Sequence, residues 1–166
     1  ERYQRLQDSP IIVNGKPYRV EVIHPSEVSY KADLIIVALK QHHLEAAIPD
    51  LTNFIGEHTV ILSVLNGLDS ETMIGAVVGM EKLLFAVAVG IDAVRQNGEV
   101  NYSTMGRLIF GEAENQQVTP RVQRVQLACT RAGIAYETPL NMLKTMWWKF
   151  MVNVGAVSDE RGSSFG

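Results

Sequence analysis

The chain has 166 residues, of which 46% are hydrophobic and 20% charged, with a formal net charge of −3. That length and apolar content fit about one globular domain and exclude disorder, and the slight acidic balance leaves no excess of Lys or Arg to line a nucleic acid. One cysteine, Cys129, excludes a disulfide framework and any zinc site built on paired cysteines. No apolar run approaches the ~20 residues of a membrane span. No secretory signal pattern stands at the front, so the cytoplasm is the expected compartment. The sequence opens at Glu1 without a methionine and stops at Ser163-Ser164-Phe165-Gly166, just after a strong helical pattern. It reads as a piece of a longer protein.

In chain order, Ile11 to Val13, Asn14-Gly15 and Tyr18 to Val22 predict a hairpin, because Asn-Gly supplies the positive φ angles of a tight turn. The unbroken apolar run Leu34 to Leu39 predicts a parallel strand covered on both faces. Leu44, Ala47, Ile48, Leu51 and Ile55 keep helical spacing, with Pro49 as an interruption. Val60 to Val64 is a second buried strand, Ser70-Glu71 starts a short helix, and Leu84 to Val89 is a third strand. Strand–helix–strand–helix–strand is the order of a parallel α/β sheet. Ile91 to Val94, Val100 to Ser103 and Arg107 to Phe110 then predict an antiparallel extension of that sheet. A helix follows between Pro120 and Gly133, a short strand over Ile134 to Glu137, and a helix rich in Met and Trp from Asn141 to about Ala156. A domain boundary is expected near Pro139, dividing residues 1–138 from 139–166.

Ligands of an open parallel sheet bind outside the carboxyl ends of its strands. Two polar features stand there: Lys40 after the first run, and Asn66-Gly67 after the second. A lysine can meet a phosphate or ribose, and an asparagine can donate and accept hydrogen bonds. Each also has an ordinary reading, as a strand-end residue and as a turn. Lys149 and Asn153 are four apart, so they share a helix face among apolar neighbours. The lysine either snorkels to the surface or is held in a cleft; the companion Asn, a poor helix former, favours the cleft. His42-His43 lacks a third ligand at metal spacing and reads as a helix start, and no metal is expected. Cys129 falls on a core face of its helix.

Ala38-Leu39-Lys40, Ser63-Val64-Leu65-Asn66-Gly67, Phe110-Gly111-Glu112, Ala132-Gly133-Ile134 and Trp148-Lys149 with Asn153 together resemble the ketopantoate reductase family, from about Asp33 to Gly155. The resemblance implies a Rossmann-type domain over 1–138 that binds NADPH, followed by the start of an all-helical substrate domain. It implies reduction of 2-dehydropantoate to (R)-pantoate, on the route to pantothenate and coenzyme A. By position, Lys149 is similar to the family's catalytic lysine and Asn153 to a substrate-binding asparagine. Asn66 is similar to the asparagine that contacts cofactor and substrate, Lys40 to a cofactor-side lysine, and Val94 falls where a backbone contact to the cofactor is expected.

The sequence also departs from the family pattern. The opening strand with Gly-x-Gly-x-x-Gly, which cradles the pyrophosphate, is not in it, and impaired NADPH affinity is the expectation for this piece. Val157 stands where the family has a further asparagine, and 158–166 does not follow the pattern. Two other readings stay open: a reductase of a different 2-oxo acid, and a non-catalytic dinucleotide-binding or interaction module on the same scaffold. The expected partner is a small 2-oxo acid, with no nucleic acid and no membrane. Apolar residues Met142, Met146, Trp147 and Phe150, left bare by a truncated helical domain, would drive self-association, a homodimer being one form of it.

Overall fold

A computed structural model describes residues 9–67 and 69–162, with side chains through Val152. Its centre is a five-stranded mixed sheet whose strands lie in the order β3 (Leu34–Val37), β4 (Val60–Ser63), β5 (Leu83–Val89), β8 (Arg107–Gly111) and β9 (Tyr136–Glu137). Strands β3, β4 and β5 are parallel. They are joined by helices α1 (Gln41–Leu51) and α2 (Ser70–Val78). Strand β8 pairs antiparallel with β5, and β9 runs parallel with β8. Helix α3 (Pro120–Ala132) links those two, and α4 (Met142–Gly162) follows β9. The arrangement is a Rossmann-like α/β fold followed by a C-terminal helix.

Alternation along the strands sends side chains to two separate layers of core. Val60, Leu62, Leu84, Ala86, Leu108 and Phe110 face α3, which contributes Val122, Val125 and Cys129. Ile61 and Leu83 face the other way, toward Leu44 and Ile48 of α1 and Ile74 of α2. On that second face Val87 and Ile109 receive Met142 and Met146, the first turns of α4. Those two methionines are buried, correcting the expectation that they stand bare with Trp147 and Phe150, which are exposed. They lie four apart and meet the sheet at Val87 and Ile109.

Two of the three Asn-Gly pairs form hairpin turns, with Asn14 and Gly15 at φ 48° and 72°, and Asn97 and Gly98 at 52° and 85°. Two-residue turns let pairing start at once. The first hairpin is therefore β1 (Ile11–Val13) with β2 (Lys16–Tyr18), and Val13 opposes Lys16. The second hairpin, β6 (Val94–Gln96) with β7 (Glu99–Asn101), does not extend the main sheet as expected. It joins the first in a separate sheet, β2-β1-β7-β6. The reason is that β8 occupies the edge of β5 along its length, from Phe85 opposite Gly111 to Val89 opposite Arg107. The Asn14 side chain clasps the two hairpins, donating to Tyr102 O at 3.0 Å and accepting from Tyr102 N–H at 2.8 Å.

The run starting at Leu34 is not covered on both faces. β3 is an edge strand, and Ile36 is 49% exposed because α3 sits over β4, β5 and β8 instead. The doubly covered strand is β4, buried at every position. Helix α1 ends at Leu51, and Pro49 lies in its last turn, where its carbonyl accepts both the N–H and, at 2.7 Å, the Oγ1–H of Thr52. Helix α3 ends on Gly133 in the left-handed region, whose N–H returns to Cys129 and Thr130 carbonyls. Among the described residues no helix is long and apolar enough to cross a membrane.

Candidate active site

Because β3, β4 and β5 are parallel, their carboxyl ends lie along one edge of the sheet. Each end carries a polar group. Past β3, Lys40 takes an extended conformation at the N-cap of α1; its side chain makes no capping bond and is exposed. Past β4 come Asn66 and Gly67. Gly67 has φ 121°, a conformation that favours glycine, and a Cβ there would meet open space. The loop is therefore unobstructed next to Asn66.

Over the end of β5 sits Lys149. Its Nζ donates to the carbonyl of Ala88, one residue before the strand ends, at 2.9 Å. Met142 and Met146 fix the helix on the sheet, and position 149, three beyond Met146, falls on the same stripe. The ammonium consequently points down at the strand end and does not snorkel outward. Burial holds its pKa below the usual lysine value of 10.5, and among the described residues no carboxylate pairs with it. One of its three N–H donors is used on Ala88, leaving two for a ligand.

Lys149 and Asn66 line one narrow cleft of about 10 Å³, with Leu65, Gly67, Val87, Met146 and Phe150 as its walls. Two residues 83 positions apart are thus brought together by the packing of α4 on β5 beside the β4 loop. Chemically the cleft offers a cation, a neutral donor and acceptor, and an apolar floor. That set can polarise a carbonyl and hold its neighbouring groups.

The other expected site residues do not share this cleft. Lys40 lies at the same edge of the sheet but is not among its walls. Val94 begins β6 and lines a shallow depression with Asn14, Asp92 and Tyr102 on the small sheet. Asn153 belongs to α4, but its side chain lies outside the described residues, as do those of Val157 and the segment 158–166. His42 and His43 occupy the first turn of α1, their rings 4.1 Å apart. Cys129 is buried in the core, and burial raises its thiol pKa. Sequence reasoning missed a buried polar cluster beside the cleft: Ser63, Ser70 and Glu71. Its signal was present as a serine closing the buried strand β4 and a Ser-Glu pair opening α2.

The family model for Ketopantoate reductase PanE/ApbA matches residues 1–115. The chain is 24% identical over 153 residues to a 2-dehydropantoate 2-reductase of Streptococcus pyogenes serotype M3, covering 89% of this chain and 49% of that protein. It spans about half the length of the curated relatives it matches. Among solved structures, the 2-dehydropantoate 2-reductase of Geobacter metallireducens superposes with a TM-score of 0.70 at 24% identity, over 88% of this chain and 49% of that one. A D-mandelate dehydrogenase solved with NADH and anilino(oxo)acetate superposes with a TM-score of 0.73 at 21% identity, over 89% and 49%. These likenesses agree with the Rossmann-like fold. The family match covers well over half of the sequence, and the chain belongs to the ketopantoate reductase PanE/ApbA family.

Proposed function

We propose that the protein is an NADPH-dependent reductase of a 2-oxo acid, with 2-dehydropantoate as its substrate and (R)-pantoate as its product. The observation that carries the reading is the meeting of Lys149 and Asn66 in one cleft at the carboxyl ends of the parallel strands. The donor set fits a nicotinamide dinucleotide. The ammonium of Lys40 suits a phosphate or ribose, the Asn66 amide suits polar groups nearer the nicotinamide, and the open face of Gly67 leaves room beside it. Val94, on the small sheet, would add a backbone contact. When bound, the reduced nicotinamide supplies the hydride that the ketone carbon takes up.

The protein's own residues do the rest. Lys149 holds a proton at Nζ, in a rotamer pinned by the Ala88 carbonyl. As the substrate oxygen gains negative charge, the ammonium stabilises it and then transfers the proton, giving the alcohol. Its depressed pKa makes it a readier donor than an exposed lysine. Asn66 orients the substrate's polar groups, converting binding into alignment. Asn153, four residues beyond Lys149 in the same helix, would be a further substrate contact. In this reading residues 1–138 form the nucleotide side and the helix from 139 onward begins the substrate side.

A second reading, reduction of a different 2-oxo acid, is favoured by the likeness to D-mandelate dehydrogenase. The test is oxidation of NADPH and NADH by the full-length protein with 2-dehydropantoate, benzoylformate and aliphatic 2-oxo acids. We expect the highest kcat/KM for 2-dehydropantoate with NADPH. A higher value for another acid transfers the function to that substrate, and no oxidation with any of them refutes the reductase reading.

A further inference from the structure

The side chain of Glu71 is buried, 3% exposed, without an ion pair among the described residues. The nearest influence of charge is Asp69, of like sign. An unpaired carboxyl in such a place is costly unless hydrogen bonds satisfy it. Here its own backbone N–H and the Ser70 hydroxyl supply them, and the second begins a chain. Ser70 Oγ donates to Glu71 Oε2 at 2.9 Å, and Ser70 Oγ lies 2.8 Å from Ser63 Oγ. Since the Ser70 proton is used on Glu71, the Ser63 hydroxyl donates to Ser70.

The chain of bonds has a definite span. Ser63 is the last residue of β4 and Ser70 the first of α2, both nearly inaccessible. Between them runs the connection 64–69, which carries Asn66 and Gly67. Simple helix capping does not account for the arrangement. The N-cap residue Asp69 makes no side-chain cap, and the bonds run across to the strand. The hydroxyl–hydroxyl–carboxyl bridge closes the base of the loop and fixes the separation of its two ends.

We propose that Ser63, Ser70 and Glu71 are positioning residues, a buried bridge that holds the Asn66 loop at the distance from Lys149 that the reaction requires. This rests on the reading of Asn66 as a ligand contact in the reductase. Loss of the bridge lets the loop relax, and Asn66 drifts from alignment while Lys149, anchored separately on Ala88, stays in place. A displacement of about 1 Å at such a group costs up to roughly 100-fold in rate.

The experiment is a kinetic double-mutant cycle in the full-length protein, with NADPH and 2-dehydropantoate as probes. Ser63→Ala, Asn66→Ala and the double variant are compared in kcat and KM. The expected result is a roughly 10- to 100-fold fall in kcat/KM for Ser63→Ala, and less than about a twofold further effect once Asn66 is already alanine. Glu71→Gln, whose amide oxygen still accepts from Ser70, should recover most of the rate lost in Glu71→Ala. Should Glu71→Ala fail to fold, the Ser63 cycle still decides. Equal effects of Ser63→Ala with and without Asn66 would assign the bridge to stability alone and overturn the proposal. So would near-normal kinetics for Ser63→Ala when Asn66→Ala is slow. If Asn66→Ala itself keeps normal kinetics, the role of Asn66 falls first, and the bridge loses its purpose with it.

Discussion

Lys149 carries two opposite consequences of its burial. Its folded-state pKa lies below 10.5 because the ammonium is partly stripped of water. The charged form is therefore penalised in the folded protein at pH below that shifted value, and the penalty is relieved as pH climbs from it toward 10.5. The proposed activity moves the other way, since Lys149 as proton donor must be protonated and would lose its proton as pH rises through the same shifted value. The predicted alkaline limb of kcat/KM thus lies below 10.5, and it should vanish from the accessible range in Lys149→Arg, whose guanidinium does not titrate there. A pH–rate profile with an unmoved limb in the arginine variant would assign that limb to another group. The lysine was legible in the sequence because a cation and an amide share one face of an otherwise apolar helix. Its anchor was not, because a hydrogen bond to the Ala88 carbonyl, 61 residues away, depends on tertiary packing. The buried Glu71 escaped for the same reason: acidic residues near a helix start are usually solvated, and only the fold brings Ser63 against its partner Ser70.

Among the elements, turn chemistry and helix stops were read most directly, because they depend on local backbone. The Asn14-Gly15 turn and the Pro120-to-Gly133 helix stand where the sequence puts them. Strand partners were not local information. Nothing in Val94 to Asn101 says whether it pairs with β5 or with a distant hairpin, and the competition of β8 for the β5 edge settled it. Two glycines separate conformational strain from steric obstruction. Gly133 has φ 67° with nothing within 4 Å of an added Cβ, so Gly133→Ala should cost about 1–2 kcal/mol, the left-handed penalty alone. Gly106 has a similar φ of 70°, but a Cβ there would collide with Val89 O and lie 2.9 Å from Gly90 C. Gly106→Ala must push the end of β5 away from the approach to β8. Denaturant titration should show it clearly less stable than Gly133→Ala; equal losses would contradict the close approach.

At the scale of the whole molecule, the parallel α/β core and the edge that holds the cleft followed from three apolar runs and two helical patterns. What lay beyond reach was coverage: which strand is doubly buried, and which part of α4 meets the sheet. Met142 and Met146 dock, while Trp147, Trp148 and Met151 remain exposed, 56%, 58% and 60%. That exposed face predicts self-association of residues 1–166 expressed alone. Sedimentation should find dimers or larger species, and a monodisperse monomer would contradict it. In the full-length protein the central claim is that α4 delivers Lys149 to the Asn66 cleft as the proton donor. The most direct test is steady-state kinetics of Lys149→Ala, with NADPH binding titrated separately by fluorescence. The expected result is a kcat lower by roughly 10²–10⁴ with cofactor affinity little changed, because the proposal puts the lysine on the substrate side of the cleft. A near-normal kcat in Lys149→Ala would contradict it.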